Sequence, residues 1–172
     1  MRIVPLILVG HGGVGKAFLQ QIDAYAKRHG SEAQVRFLTA AVITSRRIAR
    51  YAAEDGERDP DDWECVPRIA REAELLWGAP PVIVDATSEE NVIVHRRWVD
   101  EGFTVVTANK HPLNCALQSF HHLTTAIDPR GHRSYWFEAT VGAGLPVVRT
   151  IRELVETGDR IVRIDAVLSG TL

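Results

Sequence analysis

A short glycine-rich segment near the start of the chain constrains the fold more than any other feature. The apolar run 3–9 leads into Gly10-His11-Gly12-Gly13-Val14-Gly15, and apolar residues at helical spacing follow it. A strand, a tight turn with glycines at the G-x-G-x-x-G spacing and a helix, in this order, are typical of dinucleotide-binding folds. The free N–H groups at the start of such a helix favour a bound phosphate. The residues predicted to bind the dinucleotide here are Gly10, Gly12, Gly13, Val14 and Gly15.

Each spaced glycine has a separate predicted role. Gly10 permits the sharp turn, Gly12 lets the backbone approach a pyrophosphate, and Gly15 lets the helix pack closely on the strand. An alternative is the phosphate loop of nucleotide triphosphatases, because Lys16 completes G-x-x-x-x-G-K. Ala17 then stands where that loop needs Ser or Thr to hold magnesium, which argues against it. A glycine-rich turn without a ligand is the remaining alternative.

Composition limits the class of protein. With 172 residues, 45% hydrophobic and 24% charged, the chain has the size of one globular domain, or of one domain and part of another. A net charge of -2 argues against general binding of nucleic acid or anionic membranes. The apolar start is too short to span a membrane and no cleavage site follows it, so we expect a cytoplasmic protein. Cys65 and Cys115 form no C-x-x-C pair and are interpreted as reduced thiols.

Strands and helices are predicted to alternate along the chain. Near-continuous apolar strands joined by helical segments are typical of βαβ units in a parallel sheet covered on both faces. We therefore predict an α/β fold with a Rossmann-type doubly wound parallel sheet over 1–140, and a hinge with the start of a second, α+β domain over 141–172. The predicted strands are 3–9, 35–44, 82–85, 103–107, 134–140 and 161–168. The predicted helical regions are 14–25, 46–78 with a helix start at 59–62, 89–101, 113–127 and 146–157.

The end of the second predicted strand bears on which dinucleotide is bound. An acid there hydrogen-bonds the ribose hydroxyls and repels a 2′-phosphate, whereas an arginine accommodates the phosphate. The chain has Thr44-Ser45-Arg46-Arg47 at this point, without an acid. We therefore predict that Arg46 or Arg47 binds a 2′-phosphate, which favours NADP over NAD. The alternative is that both arginines are solvated residues that open a helix.

Two further loops follow predicted strands and are expected to line the same edge of the sheet, since open parallel sheets bind ligands at the carboxyl ends of their strands. Ala86, Thr87 and Ser88 form the first loop, and Asn109 and Lys110 lie in the second. A lysine at such a position polarises a carbonyl when protonated, or acts as a base when desolvated. Both loops are therefore candidates to contact the cofactor, and Lys110 is a candidate catalytic residue; an ordinary surface lysine, the usual outcome at such a position, is the alternative.

Four segments, taken in order, resemble the amino-terminal part of homoserine dehydrogenase. They are 10–15, 85–88, 107–113 and 137–146, and 169–172 adds to the likeness. That family interconverts aspartate 4-semialdehyde and homoserine with NAD(P)H, on the route to threonine, methionine and isoleucine. The resemblance implies an oxidoreductase with NADP or NAD as cofactor and a small-molecule substrate.

The resemblance also implies roles for single residues. Thr87 and Ser88 would lie near the nicotinamide, and Lys110 would lie near the reacting oxygen. Gly170 and Thr171 would border the substrate. The residues whose backbone carbonyls would hold a monovalent cation, usually sodium, are Glu138, Val141, Ala143 and Leu145.

The family's chain continues past the segment that 169–172 resembles, into a domain that binds substrate and forms a dimer. That domain carries a second catalytic lysine and the carboxylates that hold the substrate's amino group. Because positioning supplies much of the reduction in an activation barrier, we expect 1–172 to bind dinucleotide and to turn over poorly alone. Two alternatives remain: a truncated paralogue that binds dinucleotide without catalysis, and a reductase of another semialdehyde, against which the segment 138–146 argues.

Overall fold

The fold is built on one mixed sheet. A computed structural model of the protein describes residues 1–51, 56, 57, 59 and 62–167. The strands in this part of the chain are β1 (Arg2–Val9), β2 (Val35–Ile43), β3 (Arg47–Arg50), β4 (Gly56–Glu57), β5 (Val82–Asp85), β6 (Thr104–Thr107) and β7 (Tyr135–Trp136). Their order across the sheet is β4-β3-β2-β1-β5-β6-β7.

The centre of the sheet is parallel and one edge is antiparallel. Strand β1 pairs in parallel with β2 on one side and β5 on the other, and β6 pairs in parallel with β5 and β7. Strand β3 runs antiparallel to β2, and β4 runs antiparallel to β3. The chain therefore reverses its direction of travel across the sheet at β1, which is where such folds bind ligands. The predicted α/β fold with a Rossmann-type sheet is confirmed, with an added hairpin at the β3–β4 edge.

Helices cover both faces of the sheet. Helix α1 (Gly13–His29) lies on one face, and α2 (Cys65–Trp77) and α3 (Val92–Asp100) lie on the other. Helices α4 (Leu117–Thr125) and α5 (Val147–Glu156) follow later in the chain. Short 3-10 turns occur at Gly30–Glu32, His111–Leu113 and Glu138–Thr140.

Strand β1 forms the centre of the core because successive side chains of a strand point to opposite faces. Leu6 and Leu8 pack towards α1, where they share a cluster with Phe18. Ile7 and Val9 belong to the larger cluster under α2 and α3. Burial of each of these aliphatic side chains contributes about 1.5–3 kcal/mol to folding. Both faces of β1 are covered, which explains its near-continuous apolar sequence.

The prediction that 46–78 is largely helical is wrong for the first part of that region, which forms the hairpin of β3 and β4. Thr44 closes the turn before β3, since its Oγ1 accepts the N–H of Arg46 at 3.4 Å and of Arg47 at 3.0 Å. Ile48 then points into the core and is 5% exposed. Burial of that side chain and pairing with β2 outweigh the helical character of the charged residues around it.

The predicted helix boundaries lie a few residues from the observed ones. The helix start expected at 59–62 precedes α2, which begins at Cys65; residues 60 and 61 lie outside the described part. Asp62 still stabilises the start of α2, because its Oδ1 accepts the N–H of Cys65 at 3.2 Å. Helix α3 begins three residues later than expected, at Val92, and α4 begins at Leu117 after a 3-10 turn.

The last two predicted strands differ most from the structure. The strand expected at 134–140 is reduced to Tyr135–Trp136, and a 3-10 turn follows at Glu138–Thr140. Residues 161–167 form no strand, and 168 lies outside the described residues. A strand needs a neighbour for its backbone hydrogen bonds, and within the described residues 161–167 have no such neighbour.

Candidate cofactor site

The loops after β1, β5 and β6 lie side by side at the carboxyl edge of the sheet. Backbone bonds tie each loop to the end of the neighbouring strand: the N–H of Gly10 donates to the carbonyl of Ile43 in β2 at 2.8 Å, and the N–H of Ala86 donates to the carbonyl of Val9 in β1 at 2.8 Å. The N–H of Ala108 donates to the carbonyl of Asp85 at 3.0 Å. The segments 10–15, 86–88 and 109–110, predicted to form one site, therefore share one edge.

Two glycines of the first loop are required by close backbone packing. Gly10 has φ +94°, and a Cβ there would lie 2.7 Å from the carbonyl carbon of Ala86. A Cβ on Gly15 would lie 2.1 Å from the carbonyl oxygen of Gly10. Gly10 therefore allows the loops of β1 and β5 to meet, and Gly15 allows α1 to start directly over the turn.

The start of α1 is open, in contrast. A Cβ on Gly12 or Gly13 would meet no atom within 4 Å, and Val14 is exposed. Among the described residues no side chain caps this helix, and Gly12 itself is its N-cap. Exposed N–H groups at the positive end of a helix dipole bind phosphate readily. The residues present therefore fit the pyrophosphate of a dinucleotide.

Asn109 ties the loop after β6 to the loop after β5. Its Nδ2 donates to the carbonyl of Glu89 at 2.9 Å and to Thr87 Oγ1 at 3.3 Å, while its Oδ1 accepts the N–H of His111 at 3.0 Å. The side chain of Asn109 is buried, whereas that of the adjacent Lys110 is exposed. Asn109 thus orients the backbone that presents Lys110, and its amide is engaged by protein groups.

A buried network under these loops was missed by sequence reasoning. Asp85 is 0% exposed. Its Oδ1 accepts the N–H of Thr87 at 2.9 Å, and its Oδ2 lies 3.0 Å from His95 Nε2 and 3.3 Å from the hydroxyl of Thr107. His95 Nδ1 lies 2.8 Å from the hydroxyl of Tyr135. The available signals in the sequence were an acid that ends an apolar strand and a histidine on the apolar face of a helix.

The network keeps Asp85 ionised. Burial by itself raises the pKa of a carboxyl, but the hydrogen bond and charge of His95, together with the N–H of Thr87, hold the pKa of Asp85 below its ordinary value of 3.8. Burial, and next the charge of Asp85, raise the pKa of Tyr135. The hydroxyl of Tyr135 therefore keeps its proton, and its oxygen closes the network at His95 Nδ1.

A cleft of about 640 Å³ adjoins the first loop at the end of β2. His11 and Thr44 contribute to its walls, and so does the β3–β4 hairpin. Of the two arginines predicted to bind a 2′-phosphate, Arg47 is among the described residues that line this cleft and Arg46 is not. Glu57 of β4 lines it as well. Glu57 was not identified from the sequence because a helix was expected there.

The segment predicted to hold a cation lies between β7 and α5. Glu138 uses its carboxylate to cap α5, accepting the N–H of Val148 at 3.0 Å and of Arg149 at 2.8 Å. The chain then turns sharply, with φ +73° at Gly142 and +51° at Ala143. The predicted ligands Val141, Ala143 and Leu145 belong to this turn. The predicted substrate residues Gly170 and Thr171 lie outside the described residues.

The described residues contain neither a cluster of metal ligands nor a helix that could span a membrane. No group of three or more His, Cys, Asp and Glu side chains there is arranged to hold a metal ion. No helix in the described part of the chain is both long and apolar enough to cross a membrane.

Comparison with known proteins gives a family match over most of the chain. Residues 10–136 match the family described as homoserine dehydrogenase, NAD binding domain. The matched region contains the glycine loop, the loop after β5 and the loop with Asn109 and Lys110. The resemblance inferred from the sequence is therefore confirmed.

Relatives of known name support the same assignment. The chain is 31% identical to the homoserine dehydrogenase of Paracoccidioides brasiliensis, covering 99% of this chain and 49% of that protein. It is 30% identical to the bifunctional aspartokinase/homoserine dehydrogenase of Haemophilus influenzae, covering 99% of this chain and 22% of that protein. A hyperthermophilic archaeal homoserine dehydrogenase in complex with NADPH shares the fold, with 20% identity, a TM-score of 0.56 and coverage of 88% of this chain and 48% of that one. The chain thus spans about half of the Paracoccidioides relative and of the archaeal structure, and 22% of the Haemophilus protein. It belongs to the homoserine dehydrogenase family and matches the NAD-binding domain of that family.

Proposed function

We propose that this chain forms the cofactor-binding part of an enzyme that interconverts aspartate 4-semialdehyde and homoserine with NAD(P)H. The observation that carries the proposal is the family match over 10–136, whose glycine loop and Asn109-Lys110 loop meet at one edge of the sheet. The alternative is a protein that binds the dinucleotide in the same way but does not catalyse hydride transfer.

The proposed reaction is the transfer of a hydride from the reduced nicotinamide, when bound, to the semialdehyde carbonyl. The start of α1 would hold the pyrophosphate, and Thr87 and Ser88 would lie beside the nicotinamide. Lys110 holds a proton on Nζ beside the carbonyl oxygen, polarises the carbonyl and donates that proton as the alkoxide forms. Hydride and proton together convert the aldehyde to the alcohol, and Lys110 regains its proton from solvent, to which its side chain is exposed.

Arg47 supports a preference for NADP. Its side chain lines the cleft next to the glycine loop, and an arginine accommodates a 2′-phosphate there. The archaeal relative of the same fold was solved with NADPH. We propose NADP(H) as the preferred cofactor, with Arg47 rather than Arg46 as the phosphate ligand.

The remaining parts of the active site belong, in this proposal, to sequence beyond the NAD-binding domain. The chain covers 49% of the fungal relative, and the predicted boundary at 140/141 places the hinge after the turn at Glu138–Thr140. Gly170 and Thr171 would border the substrate, and the second lysine and the dimer contacts would come from the part of the family's chain that residues 1–172 do not cover. The expected cytoplasmic location stays a prediction.

We also propose that a sodium ion binds the backbone carbonyls of Glu138, Val141, Ala143 and Leu145. The sharp turn at Gly142 and Ala143 supports this, because backbone oxygens gathered by a turn suit a hard cation. Thermal unfolding in sodium chloride and in choline chloride at equal ionic strength tests it. A higher melting temperature in sodium is expected, and equal temperatures would argue against the site.

The main proposal is tested in two steps. Calorimetric titration of 1–172 with NADPH and NADH measures cofactor binding, for which we expect saturable binding at one site. The loss of NADPH absorbance on addition of aspartate 4-semialdehyde then measures turnover, alone and with the corresponding downstream region of a relative fused to the chain. Activity in the fusion, abolished by Lys110→Ala, supports the enzyme; binding without activity in the fusion favours the non-catalytic alternative. Failure to bind either dinucleotide refutes both.

A further inference from the structure

The β3–β4 hairpin brings an acid to the place where the end of β2 has none. In the hairpin Arg47 is directly paired with Glu57, and Ile48 with Gly56. Side chains of directly paired residues lie on the same face of a sheet, with Cβ atoms about 5 Å apart. Arg47 and Glu57 are both exposed and both line the cleft beside the glycine loop. One positive and one negative group therefore line the same cleft.

Backbone groups of the preceding turn are already engaged. The N–H groups of Arg46 and Arg47 donate to Thr44 Oγ1, and the N–H of Thr44 donates to the carbonyl of Arg47 at 2.8 Å. The N–H groups of Thr44, Arg46 and Arg47 are thus occupied within the turn, and Arg47 and Glu57 offer their charged side chains to the cleft. Discrimination between ligands therefore depends on the charges of Arg47 and Glu57.

We propose that Glu57 is a specificity-determining residue that opposes Arg47 and limits the preference for NADP(H) over NAD(H). This inference rests on the proposed function. A carboxylate accepts hydrogen bonds from a ribose 2′-hydroxyl and repels a 2′-phosphate, whereas a guanidinium attracts the phosphate. With NAD(H), Glu57 accepts from the ribose and its charge is balanced by Arg47. With NADP(H), the phosphate competes with Glu57 for Arg47.

The position of Glu57 differs from the usual position of such an acid. Dinucleotide-binding folds place it at the end of the second strand, where this chain has Thr44. Here β4 supplies the acid, Glu57, which lies 13 residues further along the chain and is brought to this place by pairing with Arg47. The cofactor preference of this protein is thus set by a cross-strand pair, which a reading of the β2 end alone does not reveal.

The test compares affinities of Glu57→Gln, Glu57→Lys and Arg47→Ala with those of the unaltered chain. Calorimetric titrations use NADPH and NADH, and adenosine 2′,5′-bisphosphate and 5′-AMP as probes of the adenosine end alone. Glu57→Gln keeps the shape and removes the charge, so the ratio of NADPH to NADH affinity should rise about tenfold, and further in Glu57→Lys. Arg47→Ala should lower that ratio. Because the groups are exposed, each effect should shrink as salt is raised.

The controls separate this inference from the proposed function. Glu32→Gln removes another exposed glutamate that lies outside the cleft lining, and it should leave the ratio unchanged; circular dichroism checks that every variant is folded. If the unaltered chain binds dinucleotides but Glu57→Gln leaves the ratio unchanged, or shifts it as Glu32→Gln does, the role of Glu57 is refuted and the proposed function stands. If neither dinucleotide binds, both are refuted.

Discussion

The glycines of the loop have different surroundings, so substitutions at them should affect stability and cofactor binding to different extents. A Cβ on Gly15 would lie 2.1 Å from a backbone oxygen, whereas a Cβ on Gly12 would meet nothing within 4 Å. We expect Gly15→Ala to lower the free energy of unfolding by about 1–3 kcal/mol, because the backbone must shift, and to weaken NADPH binding. Gly12→Ala should weaken binding and cost less stability than Gly15→Ala, about 0.5–1 kcal/mol, because alanine is a poorer N-cap than glycine. Urea denaturation and calorimetry measure both; equal stability of the two variants would contradict the packing role of Gly15.

A second prediction for a single residue concerns Asp85 and the dependence of stability on pH. Its pKa is depressed in the folded protein below 3.8, so its stabilisation is complete above the unfolded value and is lost as the pH falls through the folded one. Asp85→Asn should therefore lower the free energy of unfolding at pH 7 by about 3 kcal/mol. The difference from the unaltered chain should narrow as the pH falls below 3.8.

Denaturation at a series of pH values tests this behaviour of Asp85. Asp159→Asn changes an exposed carboxyl and should show almost no difference at any pH. Tyr135→Phe removes the far end of the network and leaves the contact of Asp85 with His95, so its effect should be smaller and nearly independent of acid pH. A difference for Asp85→Asn that stays constant from neutral to acid pH would contradict the assigned cause.

At the scale of elements, the loops after β5 and β6 are joined by one side chain. Asn109 bonds Thr87, Glu89 and the N–H of His111. Asn109→Ala should lower the free energy of unfolding by about 2 kcal/mol, since buried partners lose their hydrogen bonds. Amide hydrogen exchange over 87–91 should become faster as that loop loosens.

The neighbouring Lys110 offers a matched control for this loop link. Its side chain is exposed, so Lys110→Ala should change stability by less than about 0.5 kcal/mol and leave hydrogen exchange over 87–91 unaltered. Both variants should impair turnover in the fused enzyme, Asn109→Ala by misplacing the lysine and Lys110→Ala by removing it. Equal hydrogen exchange in the two variants would show that Asn109 does not hold the loops together.

At the scale of the whole molecule, apolar side chains remain exposed near the end of the described chain. Leu145 is 66% exposed, Val162 91% and Val167 80%, and Val155 of α5 is also exposed. Monomers rarely leave such a concentration of apolar groups in water. In the proposed enzyme we expect a further domain or a second copy to cover these residues.

The isolated chain should therefore self-associate. Light scattering with size-exclusion chromatography should show a mass that rises with concentration, and Val155→Lys with Val162→Lys should reduce this rise while NADPH binding is unchanged. Leu75→Lys alters an apolar residue of α2 that is 86% exposed and distant in sequence, and it should leave association unaltered. If Leu75→Lys reduces association as strongly, the surface over 145–167 is not the contact.

The sequence by itself determined the central strands, the glycine turn with α1, and the family. These depend on local signals: a strand covered on both faces needs a continuous apolar run, and a turn that presses on its neighbour needs glycine. Tertiary structure decided the rest. Arg47 is paired with Glu57 because Thr44 closes a turn and the burial of Ile48 stabilises the hairpin. The charged sequence of this region predicts a helix instead. The buried network joins residues of three separate elements, Asp85, His95 and Tyr135. A buried charged group is stabilised by the groups that lie near it in space, and these cannot be read from their spacing along the chain.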